Sequence, residues 1–264
     1  MGLTYSDVKA FIKIAVFIKN ILSKFPTFWM LKCLFGLPLI GQKKLLYISL
    51  PSIYIKCPND VAAQAYRRRG TMHGGVRTDI PWVRPHDSDA ASYIKVLLSD
   101  FVGDIRIVSD EDIDDSTINE NLVCIGGQSN WVFEQFVINN DYISPLEYKI
   151  NQNKGIDGFY NLSQNQSYES SDKDYLYGLL AVVRNPHAYN KRIIFVSGLD
   201  ADATLETAKT LKDNLKKIYQ KAKSVKHRRS GFYCICRFKR TGDRTIPLIY
   251  DDVFINNISD KKRP

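Results

Sequence analysis

Two four-residue apolar runs, Leu122-Val-Cys-Ile125 and Ile193-Ile-Phe-Val196, predict strands buried on both faces, because neither alternates with polar positions. Each runs into glycine, Gly126-Gly127 in one case and Ser197-Gly198 in the other, and a helix-capping residue follows within a few positions. Helical spacing recurs three times. Ala91, Ile94, Leu97, Leu98 and Phe101 predict a helix over 90–102 capped by Ser88 or Asp89; Val132, Phe133, Phe136 and Val137 predict one over 131–138. Leu205, Ala208, Leu211, Leu215 and Ile218 predict the longest, over 201–222. Further β-rich runs lie at 45–55, interrupted by Pro51, and at 104–108, 177–183, 232–237 and 246–254. The turn composition of Asn185-Pro-His-Ala-Tyr-Asn190 makes a hairpin of 177–183 and 192–196, and Thr241-Gly-Asp243 joins the last two runs as an antiparallel pair. Residues 59–68 read as a short helix and 70–87 as a loop. The stretch 139–174, rich in Asn, Ser and Tyr, reads as an excursion with one strand at 146–150, a plausible lid. Alternation early and hairpins late predict an α/β fold: a mixed, mostly parallel, Rossmann-like sheet with helices on both faces.

Ahead of the sheet, residues 8–22 are apolar around most of a helical wheel, broken by Lys9, Lys13 and Lys19, and a second apolar run over 28–40 follows Pro26. They predict an N-terminal helical hairpin. Both runs fall short of the roughly 20 uninterrupted apolar residues of a spanning helix, and each contains lysine. A secretory signal is not matched. Two readings fit equally: a segment lying in an anionic membrane interface, with Phe25, Phe28 and Trp29 at headgroup depth, or a hairpin packed on the domain or on a protein partner, its lysine stems snorkelling. Met1-Gly2-Leu-Thr-Tyr-Ser6 also fits the pattern for myristoylation of Gly2.

With 264 residues, 44% of them hydrophobic, the chain can bury a full core, and its length suits one large domain with an appendage. The divisions are a basic apolar segment at 1–42, the α/β domain at 43–258 and a basic tail at 259–264. The net charge of +9 sits at the ends: residues 1–56 carry eight lysines against one aspartate, and 205–264 carry sixteen basic against six acidic residues. Anionic partners are expected there. Five cysteines, none in a CxxC pair, fit a reducing cytosol. The expected location is cytoplasmic, peripheral on a membrane in the interface reading.

Open α/β sheets bind ligands beyond the carboxyl ends of parallel strands, where loops enter helices. Three junctions qualify, at 84–89, 126–130 and 198–204. Gly126 and Gly127 permit close backbone approach, and the helix start at Ser129 and Asn130 favours a phosphate or carboxylate. In the third junction Gly198 and Thr204 flank Asp200 and Asp202, which oppose an anion and suit ribose or another polyol. These eight residues form the candidate ligand-binding site, provided that Gly126 and Gly198 share a sheet edge; otherwise the loops only turn the chain. No metal or cofactor is expected. Ser109-Asp-Glu-Asp-Ile-Asp-Asp lacks EF-hand spacing, and Cys234 and Cys236 share a strand face without further ligands. His73, His86 and His187 fall in loops where a general base could sit, with no nucleophile or orienting carboxylate fixed beside them. The basic run 216–229 closes the long helix as the helix dipole favours and suits lipid headgroups; with no nucleic-acid module present, nucleic acid is not an expected partner.

Asn121-Leu-Val-Cys-Ile-Gly-Gly-x-x-Asn130, Asp174-Tyr-Leu-Tyr-Gly178, Asn185-Pro186 and Lys191-Arg-Ile-Ile-Phe-Val-Ser-Gly198 with Thr204 together resemble a group of poorly characterised prokaryotic α/β domains. In that group a GG-x-x-N loop, a Tyr-Gly strand, an Asn-Pro turn and a Gly-Thr helix start recur in this order. The resemblance covers roughly residues 100–240 and implies a fold without an activity. Ser197-Gly198 through Thr204-Leu-Glu206 is also distantly similar to the Gly-Gly-x-Gly-Thr-x-x-Glu loop of Rossmann-like nucleotide-binding proteins of the lysine-decarboxylase-like phosphoribohydrolase type. Here Ala203 stands where a glycine precedes the threonine, and two aspartates crowd the loop. This second resemblance implies that nucleotides are the ligands to test.

The expected function is therefore a cytosol-facing ligand-binding or sensory module with a nucleotide-like ligand, tethered by its N-terminal helices. One alternative is a nucleotide hydrolase or N-glycosidase in the same crevice, with Asp200, Asp202 or Glu206 as its carboxylate. The other is an interaction protein with no ligand.

Overall fold

The computed structural model describes residues 23–34, 45–55, 64–68, 71–72, 81–140, 142–151, 156–223, 231–240 and 249–258. The first arm of the expected hairpin, the Gly2 motif, His73, residues 224–229 of the basic run, the turn at 241–243 and the tail at 259–264 lie outside them.

In chain order the elements are helix α1 (23–34), then β1 (Leu45–Leu50), β2 (Ile53–Ile55), β3 (Gln64–Arg68), β4 (Thr71–Met72), β5 (Pro81–Trp82), α2 (Pro85–Leu98) and β6 (Asp104–Ser109). A single 3-10 turn at Asp110–Asp112 leads to α3 (Asp115–Ile118), β7 (Asn121–Ile125) and α4 (Trp131–Phe133), which widens into a π turn at Glu134–Ile138. There follow β8 (Leu146–Asn151), β9 (Ile156–Asn161), β10 (Gln166–Glu169), β11 (Tyr175–Arg184), β12 (Arg192–Gly198), α5 (Ala201–Asp213), α6 (Leu215–Lys223), β13 (Gly231–Lys239) and β14 (Ile249–Asn257).

Seven strands form the main sheet in the order β14-β13-β11-β12-β7-β1-β6. Strands β6, β1, β7 and β12 are parallel, whereas β12-β11, β11-β13 and β13-β14 are antiparallel. The sheet is therefore mixed but not predominantly parallel, because the hairpin at 185–191 sends β11 back along β12 and the rest follows by hairpin pairing. The alternation of side chains decides the layers. Val123 and Ile125, with Ile194 and Val196, face a core closed by α1, α2, α5 and α6. Leu122 and Cys124, with Ile193 and Phe195, face a second core closed by α3, α4, the π turn and a small antiparallel sheet in the order β10-β9-β8. Phe195 is fully buried between Phe133 and its strand neighbours, a burial worth about 2–3 kcal/mol.

Three expectations change. The helix expected at 59–68 is, over the described Gln64–Arg68, a strand paired with β2 in a four-stranded sheet ordered β4-β3-β2-β5. Its alanines favour helix, but the ladder overrides propensity. Within the excursion at 139–174 the described residues form the antiparallel strands β8, β9 and β10, whose Leu146, Tyr148, Phe159 and Tyr168 are core residues. The long helix breaks at Asn214, which caps α5 and whose carbonyl then accepts the Ile218 N–H that starts α6. Asn competes with the helix backbone for hydrogen bonds and so favours such a break.

Helix α1 continues through Pro26 and seats Leu31 and Leu34 in the first core, with Phe28 against Phe101 and Lys24 paired to Asp100. Among the described residues, no helix is long and apolar enough to cross a membrane.

Candidate functional site

The four parallel strands end at one edge. The chain runs from β1 to β6 on one side and then to β7 on the other, so the strand order reverses at β1, where open α/β sheets leave a crevice. Gly126 and Gly198 sit together at this edge: Ile125 is in register with Val196, and the Gly126 N–H donates to the Val196 carbonyl at 3.0 Å. Gly126 has φ +88°, a left-handed conformation that turns the backbone out of β7, and a Cβ there would meet Pro51 at 3.2 Å. Gly127 is not in that region. A Cβ on it would press the Ser197 hydroxyl at 3.0 Å rather than enter solvent.

Beyond the glycines lies a cleft of about 330 Å³. One wall is Arg84 and Asp87 at the start of α2; the floor is Gly126 to Ser129; the other wall is Gly198 to Ala201 with Thr204, at the start of α5; and Tyr148 of β8 closes the side. Helices α2 and α5 therefore both present N-termini to it. Their caps differ. Asp200 caps α5 by accepting the Ala203 N–H at 2.8 Å, and its carbonyl accepts the Thr204 hydroxyl at 3.1 Å. Helix α2 begins at Arg84-Pro85, and no side chain caps its first turn.

Asp87 is the outstanding group. It is 2% exposed, and its Oδ1 lies 3.7 Å from where a Gly126 Cβ would stand. Burial raises its pKa from 3.8 to about 6, although Arg84 and His86 pull the other way. Asp110 is also buried and raised to about 6, but differently employed. It accepts the Ser52 N–H at 3.0 Å and the Trp131 N–H at 2.8 Å, clipping the ends of β1 and β6 to the start of α4. Burial likewise raises Asp200. Cys124 is fully buried and its thiol is pushed well up by that burial, so it supplies no nucleophile.

Of the eight candidate residues, Gly126, Gly127, Ser129, Gly198, Asp200 and Thr204 line the cleft. The other two do not. Asn130, not Ser129, caps α4, accepting the Val132 N–H at 2.9 Å; its amide donates to the Ser49 and Ile125 carbonyls, so this buried side chain ties β1 to β7. Asp202 lies outside, pairing at 3.1 Å with His86, which thereby has the carboxylate neighbour that the sequence did not place. Glu206 pairs with Lys209 and is not in the lining. His187 stacks edge-on against Phe136 in the 185–191 hairpin, away from the cleft. The acidic run 109–115 is accounted for by caps: Ser109 and Asp114 cap the following turns.

Asp87, Arg84, Gln128, Leu199, Ala201 and Tyr148 complete the lining. All but Tyr148 fall within the three junctions. Pro85 at the first helical position was the available signal for Asp87, since it starts α2 earlier than Ser88 or Asp89 and puts Asp87 in the first turn. Neither a protein-family model nor a curated protein matches this chain.

Proposed function

We propose that this cleft binds a nucleotide-like small molecule and that the protein is a ligand-binding or sensory module. The observation that carries the reading is Asp87, a buried carboxylate that lines a cleft at the reversal of strand order. Ribose hydroxyls are donors suited to it and to Asp200. The uncapped start of α2, Arg84 and the backbone of Gly127 to Ser129 suit a phosphate. A volume of about 330 Å³ is at the small end of ligand sites, fitting one nucleoside phosphate rather than a dinucleotide. The parallel half of the sheet, β6-β1-β7-β12, supports a Rossmann-like relationship for this half alone.

The test is calorimetry with a panel of nucleotides and sugars. A hit should lose at least tenfold in affinity in Ala201→Trp, which places an indole in the cleft mouth from the first residue of α5. No hit for the wild type, or one indifferent to that substitution, returns the cleft to a structural role. The hydrolase reading is favoured by the burial of Asp87 in the cleft lining, which raises its pKa to about 6, a value suited to general acid–base work near neutrality. In that reading Asp87 replaces Asp202 and Glu206 as the working carboxylate, and turnover of the hit separates enzyme from sensor.

Peripheral membrane attachment through residues 8–40 belongs to the same proposal, as does a hairpin partner for α1. Phe25 and Trp29 are exposed at 57% and 48% on the side of α1 away from Leu31 and Leu34. If this face enters lipid, Phe25→Ser with Trp29→Ser should weaken binding to vesicles of anionic lipid several-fold without altering the melting temperature. Equal vesicle binding by both proteins would assign the face to a protein contact.

A further inference from the structure

At the opposite end of β12 from the cleft, two cations face each other. Arg184 closes β11, Arg192 opens β12, and the two are directly paired in the antiparallel register. Strand parity places both on the face of Val182 and Ile194. Like charges in direct cross-strand register repel. One nitrogen of each is left over: Arg184 Nε and Arg192 Nη1 are buried and make no hydrogen bond. Glu120, which precedes β7, is paired with Lys191, and the Asn121 carboxamide accepts the Arg192 backbone N–H at 3.0 Å. Burial first, and the Arg184 charge second, press the Arg192 pKa down. Buried guanidinium N–H groups without acceptors are costly, and arginine does not escape the cost by losing its proton.

We propose that Arg184 and Arg192 form a binding site for the phosphate group of a small soluble molecule. Two planar forks can each offer paired N–H groups to one tetrahedral dianion, which cancels both charges and satisfies the buried donors; a carboxylate would cancel only one. Both side chains are half-buried, so the pair is reachable from solvent. Six residue steps along β12 separate Arg192 from Gly198, about 20 Å, so the site is independent of the cleft and of its proposed ligand.

The experiment follows thermal unfolding of the full chain while inorganic phosphate, or in a second arm glycerol phosphate, replaces chloride at fixed ionic strength. A saturable rise in melting temperature is expected, and the tighter of the two arms identifies free phosphate or a monoester as the natural form. Arg184→Gln and Arg192→Gln should each weaken the apparent affinity at least tenfold, and Ala201→Trp should leave it unchanged. Without phosphate the two Gln variants should melt at or above the wild type, because the repulsion is gone. Arg192→Lys keeps the charge and should fold, yet it should also lose affinity for want of the fork. The proposal is overturned by the absence of a saturable shift in both arms, by a shift undiminished in both Gln variants, or by Gln variants that are already less stable without phosphate.

Discussion

Gly198→Ala is expected to destabilise the protein by about 3 kcal/mol or more, a fall in melting temperature on the order of 6–12 °C for a chain of this size. The cause is steric. A Cβ at position 198 would stand 2.5 Å from the Ala203 carbonyl carbon and 2.6 Å from its Cβ, and closer still to the Thr204 N–H, so that the first turn of α5 itself must retreat. Backbone in a helix already capped by Asp200 and packed on α2 yields less readily than a side-chain end. Gly127→Ala is the control, since its Cβ would press only the Ser197 hydroxyl at 3.0 Å and the Gly198 carbonyl at 3.4 Å, and its loss should be smaller by at least 1 kcal/mol. Denaturant titration of both variants decides the matter. A Gly198→Ala loss below 1 kcal/mol would mean that α5 is not held where the cleft needs it.

That close approach explains why glycine occurs where it does, and it bears on how far the sequence could be read. Two continuous apolar runs were enough to predict β7 and β12 as central strands, because burial on both faces leaves no alternation to misread. Their glycine ends then placed six of eight candidate residues in one cleft. Strand β3 was illegible for a physical reason: it is stabilised by pairing with β2, and the pattern of Gln64–Arg68 contains no trace of that partner. Strands β8 to β10 were more legible than their polar composition suggested. Leu146, Tyr148 and Ile150 alternate, and Tyr148 and Phe159 are in contact with centroids 5.5 Å apart. Asn130 shows the opposite difficulty. A polar residue in a loop after glycine reads as a ligand contact, yet its partners are Ser49 and Ile125, one of them distant in sequence. Asp87 was obscured in the same way, because it is buried beside Gly126, which is not adjacent to it in the chain.

Asp87→Asn is expected to stabilise the protein at pH 7.5 while it removes the carboxylate that the proposed ligand needs. The folded protein holds the Asp87 proton more tightly than the unfolded chain, with a pKa of about 6 against 3.8, so the native state carries more protons between those values. Stability then falls as pH rises through this window: below 3.8 the group is neutral in both states and costs nothing, and above about 6 the full cost of a buried charge is present. Two pH units correspond to roughly 3 kcal/mol as an upper figure, and burying the amide of Asn returns part of it, so a gain of about 1–2 kcal/mol is expected at pH 7.5. Near pH 4 the gain should shrink towards zero. Asp110 titrates over the same range, but it is present in both proteins and cancels in the difference. A residue kept at the expense of stability is characteristic of a functional site. Urea titrations of wild type and variant at the two pH values supply the measurement. A variant less stable at pH 7.5, or an equal gain at both pH values, would show that Asp87 has a partner in the fold and would remove the support that it gives to the cleft as a binding site.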